Sequence, residues 1–139
     1  RVNRIKSKIG QLIDDINSVG ENFPETFEEF IQNGIAKHGI YKLVENSIEN
    51  IIQICSIINS DLDLGVPETE DNIFDNLEIK KIFSKKLLLL IRDMKKFRNI
   101  LVHRYGEVND KKAYETIKEG LKDFELFIEE IEKILKDYS

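Results

Sequence analysis

With 139 residues, 41% of them hydrophobic, the chain is long enough to close one core and too short for two, so residues 1–139 are expected to form a single domain. A charged fraction of 34% with two prolines and seven glycines argues against a strand-rich fold broken by frequent turns. One cysteine, Cys55, excludes an intrachain disulfide. The longest apolar run, Leu87 to Ile91, is far too short to cross a membrane. The start Arg1-Val2-Asn3 shows no cationic segment leading into an apolar one. A cytoplasmic, all-α protein is expected.

In chain order, Val2, Ile5, Ile9, Leu12, Ile16 and Val19 step by three and four and draw one apolar seam along a first helix ending near Gly20. Pro24 suits the first position of a second helix with Phe27, Phe30 and Ile31 on its apolar face, and Gly34 and Gly39 mark a break. The period resumes through Ile40, Leu43, Val44, Ser47, Ile48, Ile51, Ile52, Cys55 and Ile58, which makes Cys55 a core residue. Residues Asn59 to Asp71 lose the period and gather acids and turn formers, so they are expected to be a loop.

A short helical piece near Ile73 to Leu77 leads into a third long helix whose apolar positions include Ile82, Phe83, Leu87, Leu90, Ile91, Met94, Phe97 and Leu101. Gly106 is placed for the left-handed residue that ends it. Asn109 or Asp110 can cap a last helix bearing Ala113, Tyr114, Ile117, Leu121, Phe124, Phe127, Ile128, Ile131 and Leu135. Four main helices imply a bundle.

Charge is unevenly spread. The formal net charge is −5, yet from Lys80 to Arg104 nine cations (Lys80, Lys81, Lys85, Lys86, Arg92, Lys95, Lys96, Arg98 and Arg104) face one acid, Asp93. At the end of this sector Arg98-Asn99-Ile100-Leu101-Val102-His103-Arg104-Tyr105 gathers cations, an amide, an imidazole and a phenol within about two helical turns. These groups match the needs of RNA cleavage. His103 can take the proton of an attacking 2′-hydroxyl, and Arg98 can stabilise the charge developing on the phosphoryl oxygens. Asn99 can orient either group, and Lys95, Lys96 and Arg104 can hold flanking phosphates. Five residues separate Arg98 from His103 by about 140° around an ideal helix, so the two converge only through fraying, a long reach or a second subunit. A two-fold homodimer with this helix at its interface would build one composite cleft.

Arg98, four intervening residues, His103, one residue and Tyr105 resemble the Arg-x4-His-x-Tyr signature of HepT-like proteins in the HEPN superfamily. The frame around it is also similar: Tyr41-Lys42-Leu43-Val44 opening the second long helix, a loop, then the motif followed by Gly106-Glu107-Val108-Asn109. The resemblance implies a HEPN-like helical bundle that dimerises, with a metal-independent ribonuclease site formed by Arg98 and His103 of both protomers. It further implies a toxin paired with an MNT-type nucleotidyltransferase antitoxin that silences the nuclease by AMPylating Tyr105. Nucleotide bulk and phosphate charge beside Arg98 and His103 would block the cleft.

Other readings of the same residues stay open. His103 could cap its helix, and Arg98 could pair with the acidic last helix. A silent HEPN-like dimer could bind nucleotide or nucleic acid without cutting it, and an interaction module could dock a protein on the first or last helix. Tyr41 and Tyr114 fall at apolar positions expected in the core or an interface, while His38, beside Gly39, is expected to face water. No pair of histidines or His and Cys has metal-ligand spacing, and no Gly-rich phosphate loop is present, so no metal or cofactor is expected.

Overall fold

The computed structural model describes residues 2–138. Among them the chain forms six α-helices and one short 3-10 turn: α1 (Val2–Asn22), α2 (Phe27–Gln32), α3 (Gly34–Asp61), α4 (Glu70–Ile79), α5 (Lys85–His103), the turn Tyr105–Glu107, and α6 (Asp110–Tyr138). The four long helices are those expected. α3 lies at the centre, with α1 along one side and α4, α5 and α2 against the others, while α6 closes over α1, α2 and α5.

The apolar seams explain that arrangement. Ile5, Ile9, Leu12, Ile16 and Val19 of α1 are all buried; the side chain of Val2, first in the seam, lies outside the described residues. Ile40, Val44, Ile48, Ile51, Ile52, Cys55 and Ile58 of α3 share the same core with Leu87, Leu88 and Ile91 of α5 and Phe124, Phe127 and Ile131 of α6. Cys55 has no exposure, and burial raises its thiol pKa, as suits an inert packing residue. At one end Phe23, Phe27, Phe30 and Tyr114 form an aromatic group, with the Tyr114 hydroxyl donating to the Pro24 carbonyl at 2.8 Å.

Several boundaries differ from the expectations. Pro24 is not the first residue of α2: Thr26 caps it, its side chain accepting from the Glu29 amide. The break that follows is narrower than two glycines suggest. Asn33 both ends α2 and caps α3, accepting from the Ala36 amide, so Gly39 lies inside a helix. Ile82 and Phe83 precede α5, which Ser84 caps through the Leu87 amide.

Nor is Gly106 left-handed. It sits in the 3-10 turn, and the left-handed closures are Asp63 after α3 and Lys81 after α4, with φ 52° and 55°. Both are Schellman turns: the Leu64 and Asp63 amides donate back to the Asn59 and Ser60 carbonyls, and those of Ile82 and Lys81 to Leu77 and Glu78. Buried Asn59 then ties the loop to α4, donating to the Gly65 carbonyl and accepting from Asn76.

Candidate functional site

The Arg98–Tyr105 segment runs off the C-terminal end of α5. Its two principal residues part company there. Arg98 is only 7% exposed and points inward, where Nη1 donates to Glu49 Oε1 of α3 at 2.8 Å and Nη2 to Glu70 Oε1 of α4 at 2.5 Å. Its Nε donates to Asn99 Oδ1 at 2.9 Å. Burial opposes the Arg98 charge, but hydrogen bonds and attraction from Glu70 and Glu49 outweigh it and raise its pKa. Of the five guanidinium N–H groups three are thereby engaged, leaving one on each terminal nitrogen. The ion-pair role anticipated for Arg98 is therefore real, but its partners are α3 and α4, not the acidic last helix.

His103 is the last residue of α5 and is exposed. Its side chain makes no hydrogen bond or ion pair among the described residues, so the imidazole is free on both nitrogens. Within one chain the structure does not bring Arg98 and His103 together. The basic sector is likewise divided. Arg92 pairs with Asp75 at 2.8 Å and Lys95 with Asp71 at 3.1 Å, both acids of α4, whereas Lys96 and Arg104 are exposed without ion pairs among the described residues.

Tyr105 reaches the other way, across to the start of α3. It is 44% exposed, its ring stacks on His38 with centroids 5.6 Å apart, and its hydroxyl hydrogen-bonds His38 Nδ1. The Tyr41 ring stands edge-on at 6.2 Å. Tyr41 is itself pinned, donating at 2.7 Å to Asp110 Oδ1, while Lys37 binds Asp110 Oδ2 at 3.1 Å. Burial, then the bond to Asp110, raises the Tyr41 pKa. Burial opposes ionisation of Asp110, yet the Tyr41 and Lys37 hydrogen bonds prevail and lower its pKa.

His38 is exposed, as expected, and also carries the contact with Tyr105. Lys37, His38, Tyr41 and Asp110 were not visible as neighbours of Tyr105 in the sequence, though the Lys37-His38…Tyr41 spacing at three and four was a usable signal that these side chains share a helix face. No group of three His, Cys, Asp or Glu side chains poised for a metal occurs among the described residues.

An all-helical bundle with an Arg-x4-His-x-Tyr segment leaving the end of one long helix defines the HEPN class. The chain matches the Ribonuclease HepT-like family over residues 10–131, and it belongs to that family. It is 28% identical over 103 residues, 74% of this chain and 77% of the relative, to the mRNA nuclease HepT of Shewanella oneidensis. Its fold is similar to that of the tri-AMPylated Shewanella oneidensis HEPN toxin in complex with its MNT antitoxin, with TM-score 0.85, 26% identity, and coverage of 93% of this chain and 96% of that one. YutE of Bacillus subtilis, a cytosolic protein of unknown function, shares the fold at 18% identity and TM-score 0.81, over 98% of this chain and 91% of its own.

Proposed function

We propose that residues 1–139 form one domain that acts in the cytoplasm as the ribonuclease toxin of a HEPN/MNT pair, cutting RNA without a metal ion. The observation that carries this reading is the unengaged His103 imidazole, exposed at the end of a helix that also holds Arg98, in a chain of the HepT-like family. In the reaction the 2′-oxygen attacks the adjacent phosphorus, the bond to the 5′-oxygen breaks, and a 2′,3′-cyclic phosphate and a 5′-hydroxyl result. His103 accepts the 2′-hydroxyl proton, and a second imidazole returns one to the leaving oxygen. A homodimer supplies that second imidazole as His103 of the other copy. Arg98 turns its remaining N–H groups to the phosphoryl oxygens, steadied by Asn99, and Lys96 and Arg104 hold the flanking chain.

The partner in this reading is an MNT-type nucleotidyltransferase that silences the toxin by AMPylation of Tyr105, which is half-exposed two residues beyond His103. The toxin–antitoxin complex of similar fold supports that reading. Labelled cellular RNA incubated with wild type and H103A in EDTA tests it: wild type leaves cyclic phosphate ends and the variant leaves the RNA intact. No cleavage by an unmodified wild-type dimer overturns the nuclease reading, and bound but uncut RNA identifies a silent binding module.

A further inference from the structure

A tyrosine hydroxyl is a poor nucleophile at neutral pH because it keeps its proton, so a surface tyrosine that is to be modified needs a neighbour to take that proton as the new bond forms. Tyr105 has one. The chain holds only two histidines, and His38, which the cleavage reaction does not use, meets this hydroxyl through Nδ1. When Nε2 carries the ring proton, Nδ1 is the acceptor and the Tyr105 hydroxyl donates to it.

The contact is held from both sides. Lys37, His38 and Tyr41 lie on the first turns of α3, whose start is capped by Asn33. Tyr41 and Lys37 each bind one oxygen of Asp110 at the first residue of α6, which fixes the start of α3 against the segment that follows the 3-10 turn. The Tyr105 ring is stacked on His38 and bounded edge-on by Tyr41, so its hydroxyl is aimed at the imidazole while much of the residue stays open to solvent.

We propose that His38 is the proton acceptor for nucleotide transfer to Tyr105: the toxin itself supplies the base that makes its own modification site reactive. This rests on the reading that Tyr105 is AMPylated. In the step, Tyr105 Oη attacks the α-phosphorus of a nucleoside triphosphate presented by the nucleotidyltransferase, the bond to the β-phosphate oxygen breaks, pyrophosphate leaves, and the phenolic proton passes to His38 Nδ1. The new phosphodiester no longer carries that proton, so the native hydrogen bond is lost in the modified protein.

The test has two arms. Wild type, H38A and H38Q are co-incubated with ATP, magnesium and the Shewanella oneidensis MNT antitoxin, and the Tyr105 peptide is followed by mass spectrometry. The same proteins are treated with acetic anhydride, which acetylates accessible phenols without any enzyme and releases no imidazole. Both rates at Tyr105 are expected to fall at least tenfold in H38A and to stay low in H38Q, which can accept a hydrogen bond but cannot carry the proton. Free imidazole added to H38A is expected to restore enzymatic transfer, an outcome that a purely structural role for His38 does not give. Equal rates in wild type and H38A in the acetylation arm overturn the proposal. A wild type that acetylates at Tyr105 in a His38-dependent way, and that binds this antitoxin but is not adenylylated by it, leaves His38 as the base and removes the AMPylation reading.

Discussion

Replacing Arg98 by alanine tests how far the candidate catalytic arginine is also a structural one. The side chain is 9% exposed and joins α3 to α4 through Glu49 and Glu70, whose own side chains are 39% and 37% exposed. Breaking a fully buried ion pair typically costs about 3–5 kcal/mol, chiefly by stranding the remaining charge. Here the stranded carboxylates are more than a third exposed and regain water, so their share must be discounted toward the small values of surface pairs. The buried aliphatic stem adds about 1 kcal/mol of lost packing. Together these give roughly 2–3 kcal/mol for R98A, a fall in Tm of about 6–12 °C for a chain of this size. The double variant E49Q/E70Q keeps the stem but strands the buried Arg98 charge without its countercharges, and is expected to lose at least as much as R98A. Urea unfolding followed by circular dichroism, at low and high salt, reads both values. R98A within about 0.5 kcal/mol of wild type would refute the clamp. The same experiment guards the nuclease assay, since inactivity of R98A speaks to catalysis only in samples that remain folded.

The Asp110 pKa is lowered in the fold, so its contribution to stability is fully present above the ordinary carboxylate range and is lost as pH falls through the lowered value. Wild type should therefore exceed D110N by about 1–2 kcal/mol above pH 5, a gap that closes below about pH 4 in pH-dependent urea titrations; a gap constant across that range contradicts the assignment. Phe127 is wholly buried against Phe83, and F127A should lose about 3–5 kcal/mol in the same titrations, whereas H103A, at an exposed helix end, should stay within about 0.5 kcal/mol of wild type. For single-stranded RNA, the phosphate contacts proposed for Lys96 and Arg104 in each protomer predict that log K falls with log salt with a slope near −1.4 per protomer; R104A should lower that slope by about 0.7, and K95A, whose lysine is already paired with Asp71, should change it little.

The long helices were legible in the sequence because their signal is a sum over many residues. Six apolar positions in α1 or eight in α3 leave little room for another period; periodicity alone placed Cys55 in the core and Tyr41 and Tyr114 in the core or an interface, and all three are buried. Helix ends rest on one or two residues, and here sequence reasoning went astray for identifiable causes. Left-handed closures usually go to glycine, but this chain gives them to Asp63 and Lys81, while Gly106 sits in a 3-10 turn. Nine cations against one acid read as a basic face because the acids that answer three of them (Arg92, Lys95 and Arg98), among them Glu49, Glu70, Asp71 and Asp75, lie on other helices. Pairing across helices has no period along the chain. The same limit hid His38, which is 67 residues from Tyr105.

The divergence of Arg98 from His103 follows from helical geometry and has consequences for any shared chemistry. At about 100° per residue, Arg98 lies in line with Leu87, Ile91 and Leu101, the buried stripe of α5, and His103 lies in line with Leu89 and Lys96, the exposed one. Rotating the helix to expose Arg98 would drive Leu89, Lys96 and His103 into the core, so no local adjustment of α5 puts both residues on one side. What can change is what lies beyond the exposed stripe. A second copy packed there along a two-fold axis would place two His103 imidazoles near each other and cover Leu89, which is 63% exposed in the single chain. Each Arg98 would then work from behind its helix end, fixed by Glu49 and Glu70 while its unused N–H groups reach the phosphate. Under this arrangement a charged residue at Leu89 should disrupt the dimer and cleavage together while leaving the fold of each protomer intact. A L89E variant that is folded, monomeric by sedimentation and fully active would show that a single chain suffices, and the composite site would have to be abandoned.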